Sequence, residues 1–146
     1  MATFKADIKT ATDSKLSSDR PNVGRMSGRV RAVVSTYTVP TGGLAVADVL
    51  EWLTLPSGAR VVPGSCKLYF AAGAASSTIN VGDSVSAVRH LAATSVASAG
   101  SAICEASGAS GAIYETTAEV VVQSVVAGAA LLAGQVITLH MHYVVD

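Results

Sequence analysis

Residues 55–91 carry the clearest structural signal in the chain: LPSGARVVPGSCKLYFAAGAASSTINVGDSVSAVRHL. Apolar runs at 61–62, 68–70 and 78–81 are separated by Pro63-Gly64 and by a small-residue loop, and Gly82-Asp83 closes the last run. Short extended runs divided by Pro-Gly and Gly-Asp turns are typical of antiparallel β meanders and sandwiches. The stretch therefore predicts an all-β fold, and it contains no catalytic motif.

The same pattern continues on both sides of this stretch. Alternating β-branched residues predict strands over 28–39, 113–126 and 136–145, and a weaker strand over 89–96. Residues 47–55 are apolar on both faces, which predicts a central strand, with a short helix over 45–53 as the alternative. Roughly eight strands joined by short turns predict an antiparallel β-sandwich, most simply of jelly-roll type.

The composition indicates burial against other molecules. The 146 residues are 50% hydrophobic but only 14% charged, whereas about 25% charged residues is usual. Most of the apolar content is alanine and valine, and a surface of this kind favours self-association or attachment to a large assembly. A compact monomer with a core of small residues is the alternative.

The charges are unevenly distributed along a chain whose formal net charge is zero. Residues 1–31 hold seven basic and three acidic side chains, and the remainder holds three basic and seven acidic ones. A basic segment on an acidic body is typical of a docking tail. The zero net charge argues against a nucleic-acid-binding protein.

This asymmetry divides the chain into an extended basic N-terminal arm, residues 1–27, and a β-sandwich domain, residues 28–146. The arm is expected to order on a partner, and a disordered leader is the alternative. The residues expected to bind that partner through the arm are apolar anchors and basic side chains: Phe4, Lys5, Ile8, Lys9, Lys15, Leu16, Arg20, Arg25, Arg29 and Arg31.

His140 and His142 are the strongest candidates for metal ligands. Two residues apart on a strand, they share one face, and a third ligand would come from His90, Asp146 or a glutamate. Histidines on the polar face of a terminal strand are more often surface or interface residues. No metal site and no cofactor is therefore predicted.

The other reactive residue types have structural interpretations. Cys66 and Cys104 lie in apolar runs without metal-binding spacing, which favours small buried hydrophobes over a disulfide. Asp83 after Gly82 predicts a turn in which the carboxylate caps backbone amides. Glu115 and Glu119 are expected to lie on one exposed strand face and to improve solubility. The sequence predicts no enzyme.

The N-terminal residues lack the charged and apolar regions of a signal peptide. The longest apolar run, residues 125–133, is much shorter than the roughly 20 residues of a membrane helix. The sequence therefore predicts a protein made in the cytoplasm that does not cross a membrane.

Three segments stand out within about residues 52–99: the LPSGARVVPG run at 55–64, the TINVGD run at 78–83 and the RHLAAT run at 89–94. Together they resemble small virion proteins of tailed bacteriophages. The family members in question are capsid decoration, or cement, proteins. The resemblance implies a jelly-roll or sandwich body that forms a homotrimer on the shell, and an N-terminal arm that reaches neighbouring subunits.

The resemblance also implies the partner and the location. The partner of this capsid-binding arm would be the major capsid protein, and the location would be the capsid surface of the virion after synthesis in the host cytoplasm. Two alternatives stay open: a low-copy tail or head–tail connector component, and a non-enzymatic carbohydrate-binding sandwich.

Overall fold

The computed structural model describes residues 29–104 and 114–145. Within these ranges the chain forms no α-helix, and no segment meets the length and hydrophobicity of a membrane-spanning helix. The strands are β1 (Arg29–Thr38), β2 (Val49–Leu55), β3 (Arg60–Val61), β4 (Cys66–Phe70), β5 (Thr78–Val81), β6 (Leu91–Ser95), β7 (Gly100–Cys104), β8 (Val120–Ala127) and β9 (Val136–Val145). The predicted all-β fold is confirmed.

The strands form two antiparallel sheets. The first sheet has the order β1-β9-β4-β7, with the short β3 also paired to β9, and the second has the order β2-β8-β5-β6. The pairings are nested: β1 pairs with β9, β2 with β8, β4 with β7, and β5 with β6. This nesting is the jelly-roll arrangement, in which one long antiparallel hairpin is wrapped into a two-sheet sandwich. The predicted jelly-roll type is confirmed.

The core lies between the inner faces of the two sheets. Every second residue of β9 contributes to it, and Ile137, Leu139 and Met141 are fully buried. Val122 and Val126 of β8 face them from the second sheet. Because strand side chains alternate between faces, the residues between these positions project outward. The outer faces of the sandwich are therefore available for contacts with other molecules.

Strand β2 follows the strand prediction and not the helical alternative. Its register shifts between Glu51 and Leu53, which is a β-bulge at Trp52. The Trp52 ring is buried, and its indole N–H donates a hydrogen bond to Ser124 Oγ at 2.8 Å. The sequence suggested two apolar faces and a central strand, but β2 lies at the edge of the second sheet. Val49 and Glu51 are exposed because they alternate with buried Leu50 and Trp52 and so project from the outward face.

Strand β8 begins at Val120, and the predicted start at 113 lies outside the described residues. Residues 114–119 are a connection, because Thr116 is held by the turn at 56–59. The Thr116 hydroxyl donates to the Pro56 carbonyl at 2.5 Å and accepts from the Ala59 amide at 2.8 Å. Glu115 and Glu119 therefore do not share a strand face, and Glu115 pairs with Arg60 at 2.5 Å.

The Pro63-Gly64 turn forms where the sequence predicts it. Gly64 has φ +75°, and the Ser65 amide donates to the Val62 carbonyl at 3.4 Å. Proline followed by a residue of positive φ is the pattern of a type II turn, for which glycine is the favoured second residue. The turn separates β3 from β4, so that both can pair with β9.

Candidate interaction surfaces

The outward side of the first sheet is a broad surface of mixed character. Register places Val34, His140, Lys67 and Ile103 in one row across four strands, with Thr36, Thr138, Tyr69 and Ser101 in the next. We call these two rows, together with Val30, the outer-sheet face. Val30 and Val34 are 66% and 62% exposed. Apolar side chains so exposed on a strand are typical of a surface that another molecule covers.

Five side chains of the outer-sheet face contact one another. The Tyr69 and His140 rings pack with centroids 5.1 Å apart, and Lys67 Nζ lies 5.2 Å from the centre of the Tyr69 ring. Thr36 and Thr138 share a hydrogen bond of 3.0 Å. A surface whose side chains already hold one conformation loses less entropy when it binds. The outer-sheet face is therefore suited to docking.

The two histidines of β9 lie on one side of the sheet, as their spacing predicts. The Nδ1–H of His142 donates to the Ser65 carbonyl at 2.8 Å, and His140 packs against Tyr69. Across residues 29–104 and 114–145, no group of three or more His, Cys, Asp or Glu side chains is placed to hold a metal ion. Asp146, one suggested third ligand, lies outside these residues.

The connection between β5 and β6, residues 82–90, is a second candidate surface, which we call the β5–β6 loop. Asp83 is buried at its base, and its carboxylate accepts from the amides of Val85 at 2.9 Å and Ser86 at 2.7 Å. This is the capping role that the sequence predicts for Asp83. The strand predicted over 89–96 begins only at Leu91, because Arg89 and His90 belong to the loop.

An ion pair closes the β5–β6 loop. Arg89 Nε donates to Asp83 Oδ2, and the guanidinium carbon lies 3.8 Å from the centre of the Tyr114 ring. Burial opposes ionisation of Asp83, but hydrogen bonds from Arg89, Ser86 and Val85 outweigh it, so the pKa of this carboxyl is lowered. Arg89 and Tyr114 were not among the predicted site residues. Charged residues are scarce in this chain, so an Asp–Arg pair six residues apart was a signal that could have identified Arg89.

The closed loop presents two valines to solvent. Val85 is 84% exposed, the highest value among the large apolar side chains of the described residues, and Val88 is 44% exposed. Their backbone is fixed by the bonds to Asp83 and by the bond from the His90 amide to the Val81 carbonyl at 2.9 Å. A rigid scaffold that holds exposed apolar residues on a loop is typical of a recognition element.

His90 gives the β5–β6 loop a sensitivity to acid. Its side chain is buried, and desolvation lowers its pKa from 6.5 to about 4, with Asp83 opposing and Arg89 adding to the shift. The neutral ring is thus the form compatible with the fold. Protonation favours the unfolded chain, which takes up a proton at higher pH.

We expect the free energy of unfolding to fall by about 3 kcal/mol between pH 6.5 and pH 4 because of His90. Well above pH 6.5 the ring is neutral in both states and contributes no slope. Urea denaturation of the parent and of His90→Gln at several pH values measures the effect, and the variant should lose this part of the slope. His140→Gln, with His90 intact, should keep it. Equal slopes in parent and His90→Gln would contradict the assignment.

The residues predicted to bind a partner fall mostly outside the described part of the chain. Phe4, Lys5, Ile8, Lys9, Lys15, Leu16, Arg20 and Arg25 are all in this group. Arg29 and Arg31 lie in β1, where they pair with Val145 and Tyr143 and are exposed. The structure therefore places these two arginines on the sandwich and not on an arm.

The fold has counterparts among known structures. No protein-family model matches the sequence, and no curated protein matches it. A chain of the capsid asymmetric unit of cyanophage Pam1 superposes with a TM-score of 0.66 at 22% identity, with 100% of both chains covered. The protein shares its fold with chains of phage capsids. A chain from the capsid of Ralstonia phage GP4 gives a TM-score of 0.64 at 24% identity, covering 82% of this chain and 86% of that one.

The aromatic residues bear on the carbohydrate-binding alternative. Trp52 and Tyr143 are buried, and Tyr37 packs against the core. Tyr114 is stacked on Arg89, and Tyr69 alone among the tyrosines of the described residues is exposed. Sugar-binding sandwiches use exposed aromatic rings grouped in a cleft, and these rings are not so grouped.

Proposed function

We propose that this chain is a structural protein of a phage virion that binds the outer surface of the capsid and stabilises it by bridging capsid subunits. The observation that carries the proposal is the match of the whole chain, over its full length, to a chain of the Pam1 capsid asymmetric unit. A fold alone does not define a function. The low charge and the exposed apolar surfaces of the sandwich add independent support.

The surfaces suggest how such a protein would work. A jelly roll is a rigid body with short turns, and the β5–β6 loop and the outer-sheet face offer two separate places for contact. Modest contacts repeated over a whole shell add up to a large stabilisation. The direct partner is the major capsid protein, and the chain binds as a homotrimer. Light scattering of the purified protein tests the trimer.

In this proposal residues 1–27 make the decisive contact with the shell. We expect removal of these residues to abolish binding to purified shells, because seven of the ten basic side chains of the chain lie within 1–31 and five of those within 1–27. Cosedimentation with undecorated shells measures the loss. The thermal unfolding of the truncated protein should stay within about 2 °C of the parent, because the sandwich begins at Arg29.

A full-length variant in which Lys5, Lys9 and Lys15 are all changed to glutamine is the matched control, because it removes charge without shortening the chain. It should bind more weakly, and its binding should depend less on salt, since exposed charges are screened over about 10 Å at 0.1 M ionic strength. Truncated protein that still saturates the shells would overturn the role of the arm.

The copy number in particles separates this proposal from a tail or connector role. A capsid-binding protein would be present in simple ratio to the major capsid protein, whereas a tail or connector component would be present in few copies, often as a ring. Quantitative mass spectrometry of purified particles measures the ratio. Absence of the chain from particles would overturn any virion role, and a glycan-binding screen would then test the carbohydrate alternative.

A further inference from the structure

Two buried thiols face each other across the first sheet. Cys66 is the first residue of β4 and Cys104 the last of β7, and the two are direct partners in the antiparallel ladder. Both are free, and both are buried. Direct partners project their side chains from the same face of the sheet, with Cα atoms about 4.5–5.5 Å apart. A disulfide spans Cα separations of about 4.4–6.8 Å, so the backbone is already in range.

We propose that Cys66 and Cys104 are an intramolecular disulfide site, which closes when the folded protein meets a low-molecular-weight disulfide oxidant. One thiolate attacks a sulfur of the oxidant, which forms a mixed disulfide and releases one reduced thiol. The second thiolate of the chain then displaces the remaining oxidant thiol. Two S–H bonds of the chain are lost and one S–S bond forms between β4 and β7, while the S–S bond of the oxidant breaks and its two sulfurs take up two electrons and two protons as thiols.

The position of the pair allows the small movement that the bond needs. Directly opposite Cβ atoms lie about 4.5–5.5 Å apart, whereas a disulfide needs about 3.5–4.5 Å. Strand β7 has five residues and stands at the edge of the first sheet, where β4 is its ladder partner among the described strands. Cys104 is at the end of that strand. The end of a short edge strand opens and shifts at low cost, which also admits the oxidant.

In the reduced protein, the Cys66 thiol is held in place by a backbone hydrogen bond. The His142 amide donates to Cys66 Sγ at 3.2 Å, where β9 passes from β3 to β4. The Cys66 side chain must leave this contact and rotate towards Cys104 before the bond can form. Burial raises the pKa of the Cys104 thiol to about 12, so little thiolate is present near neutral pH. The disulfide should therefore form slowly near neutral pH and faster as the pH rises.

The test uses the full chain, reduced and folded, incubated with excess oxidised glutathione at alkaline pH. After unfolding and alkylation of free thiols, intact mass without reductant should show a monomer two hydrogens lighter than the reduced chain and without label. The loop that the bond closes has roughly 40 residues, so the melting temperature should rise by about 5–10 °C and return on reduction.

Cys104→Ser is the matched control, because it keeps Cys66 and its contact with His142. It should give free thiol or a mixed disulfide with glutathione, and no rise in melting temperature. The parent chain treated with the same oxidant in denaturant should form the disulfide, which shows that the oxidant is strong enough. This control does not require that Cys104→Ser folds. Folded parent protein whose thiols both stay open to alkylation, or which forms only disulfide-linked dimers, would overturn the proposal. The outcome is independent of binding to any shell.

Discussion

Asp83→Ala should lower the free energy of unfolding by about 3–4 kcal/mol. The carboxylate is 1% exposed and holds three groups together: the amides of Val85 and Ser86, and the guanidinium of Arg89. Alanine removes the acceptor and leaves all three donors without it. Breaking a buried ion pair typically costs about 3–5 kcal/mol. We expect a loss near the lower end of this range, because the Arg89 side chain is 19% exposed and keeps some contact with water. Urea denaturation measures the loss.

Asp48→Ala is the matched control for the Asp83 experiment. Asp48 also caps a backbone amide, that of Ala45 at 2.7 Å, but this turn is exposed. We expect a loss of at most about 1 kcal/mol there. A similar loss at both positions would contradict the view that burial and the ion pair make Asp83 special.

The pH dependence gives the Asp83 experiment a second readout. The pKa of Asp83 is lowered in the fold, so its ionised form stabilises the protein above the unfolded pKa of about 3.8, and this stability is lost as pH falls through the folded value. The difference between the parent and Asp83→Asn should thus be constant at neutral pH and shrink in strong acid. A difference that grows in acid would contradict the assignment.

The fold class followed from the sequence because local patterns carry it. Strand β9 alternates between buried and partly exposed residues from Ile137 to Val144, and β1 alternates from Ala32 onward. The Pro63-Gly64 turn has the chemistry that its conformation requires. A two-residue period and turn residues report on neighbouring positions only. They indicate that strands are present and approximately where they end.

The partners of the strands could not be read in the same way. In a nested jelly roll, Arg29 pairs with Val145, and nearly the whole chain lies between them. Nothing local distinguishes this pairing from a simple meander, because each strand has an apolar face that fits any other. The pairing of Cys66 with Cys104 is a consequence of the same long-range order, and so it emerged only from the register.

The β5–β6 loop shows where local reasoning was partly sufficient. Gly82-Asp83 predicted the turn and the cap correctly, since both depend on adjacent backbone. The role of Tyr114 depends on the chain returning to stack on Arg89, which no spacing reveals. In the same way, alternation extended the predicted β8 too far, because the hydrogen bonds of Thr116 to the turn at 56–59 override its strand propensity.

Gly82→Ala should destabilise the protein by about 3 kcal/mol or more. A Cβ atom at this position would lie 2.2 Å from the Ser86 carbonyl oxygen and 2.3 Å from the Ala87 carbonyl carbon. Both are backbone atoms, so no side chain can rotate away to relieve the clash. Gly82 also exchanges two hydrogen bonds of 2.9 Å with Gln123 of β8, which fix it from the other side. The loop must therefore open or the bridge must break.

Gly42→Ala is the matched control for Gly82, since a Cβ there meets no atom within 4 Å. We expect it to change the free energy of unfolding by less than about 1 kcal/mol, in either direction. Hydrogen exchange locates the damage: in Gly82→Ala the His90 amide, which bonds to the Val81 carbonyl, should lose protection before the amides of β9 do. A Gly82→Ala protein that melts with the parent and keeps this protection would show that the β5–β6 loop is not the tightly packed element that presents Val85 and Val88.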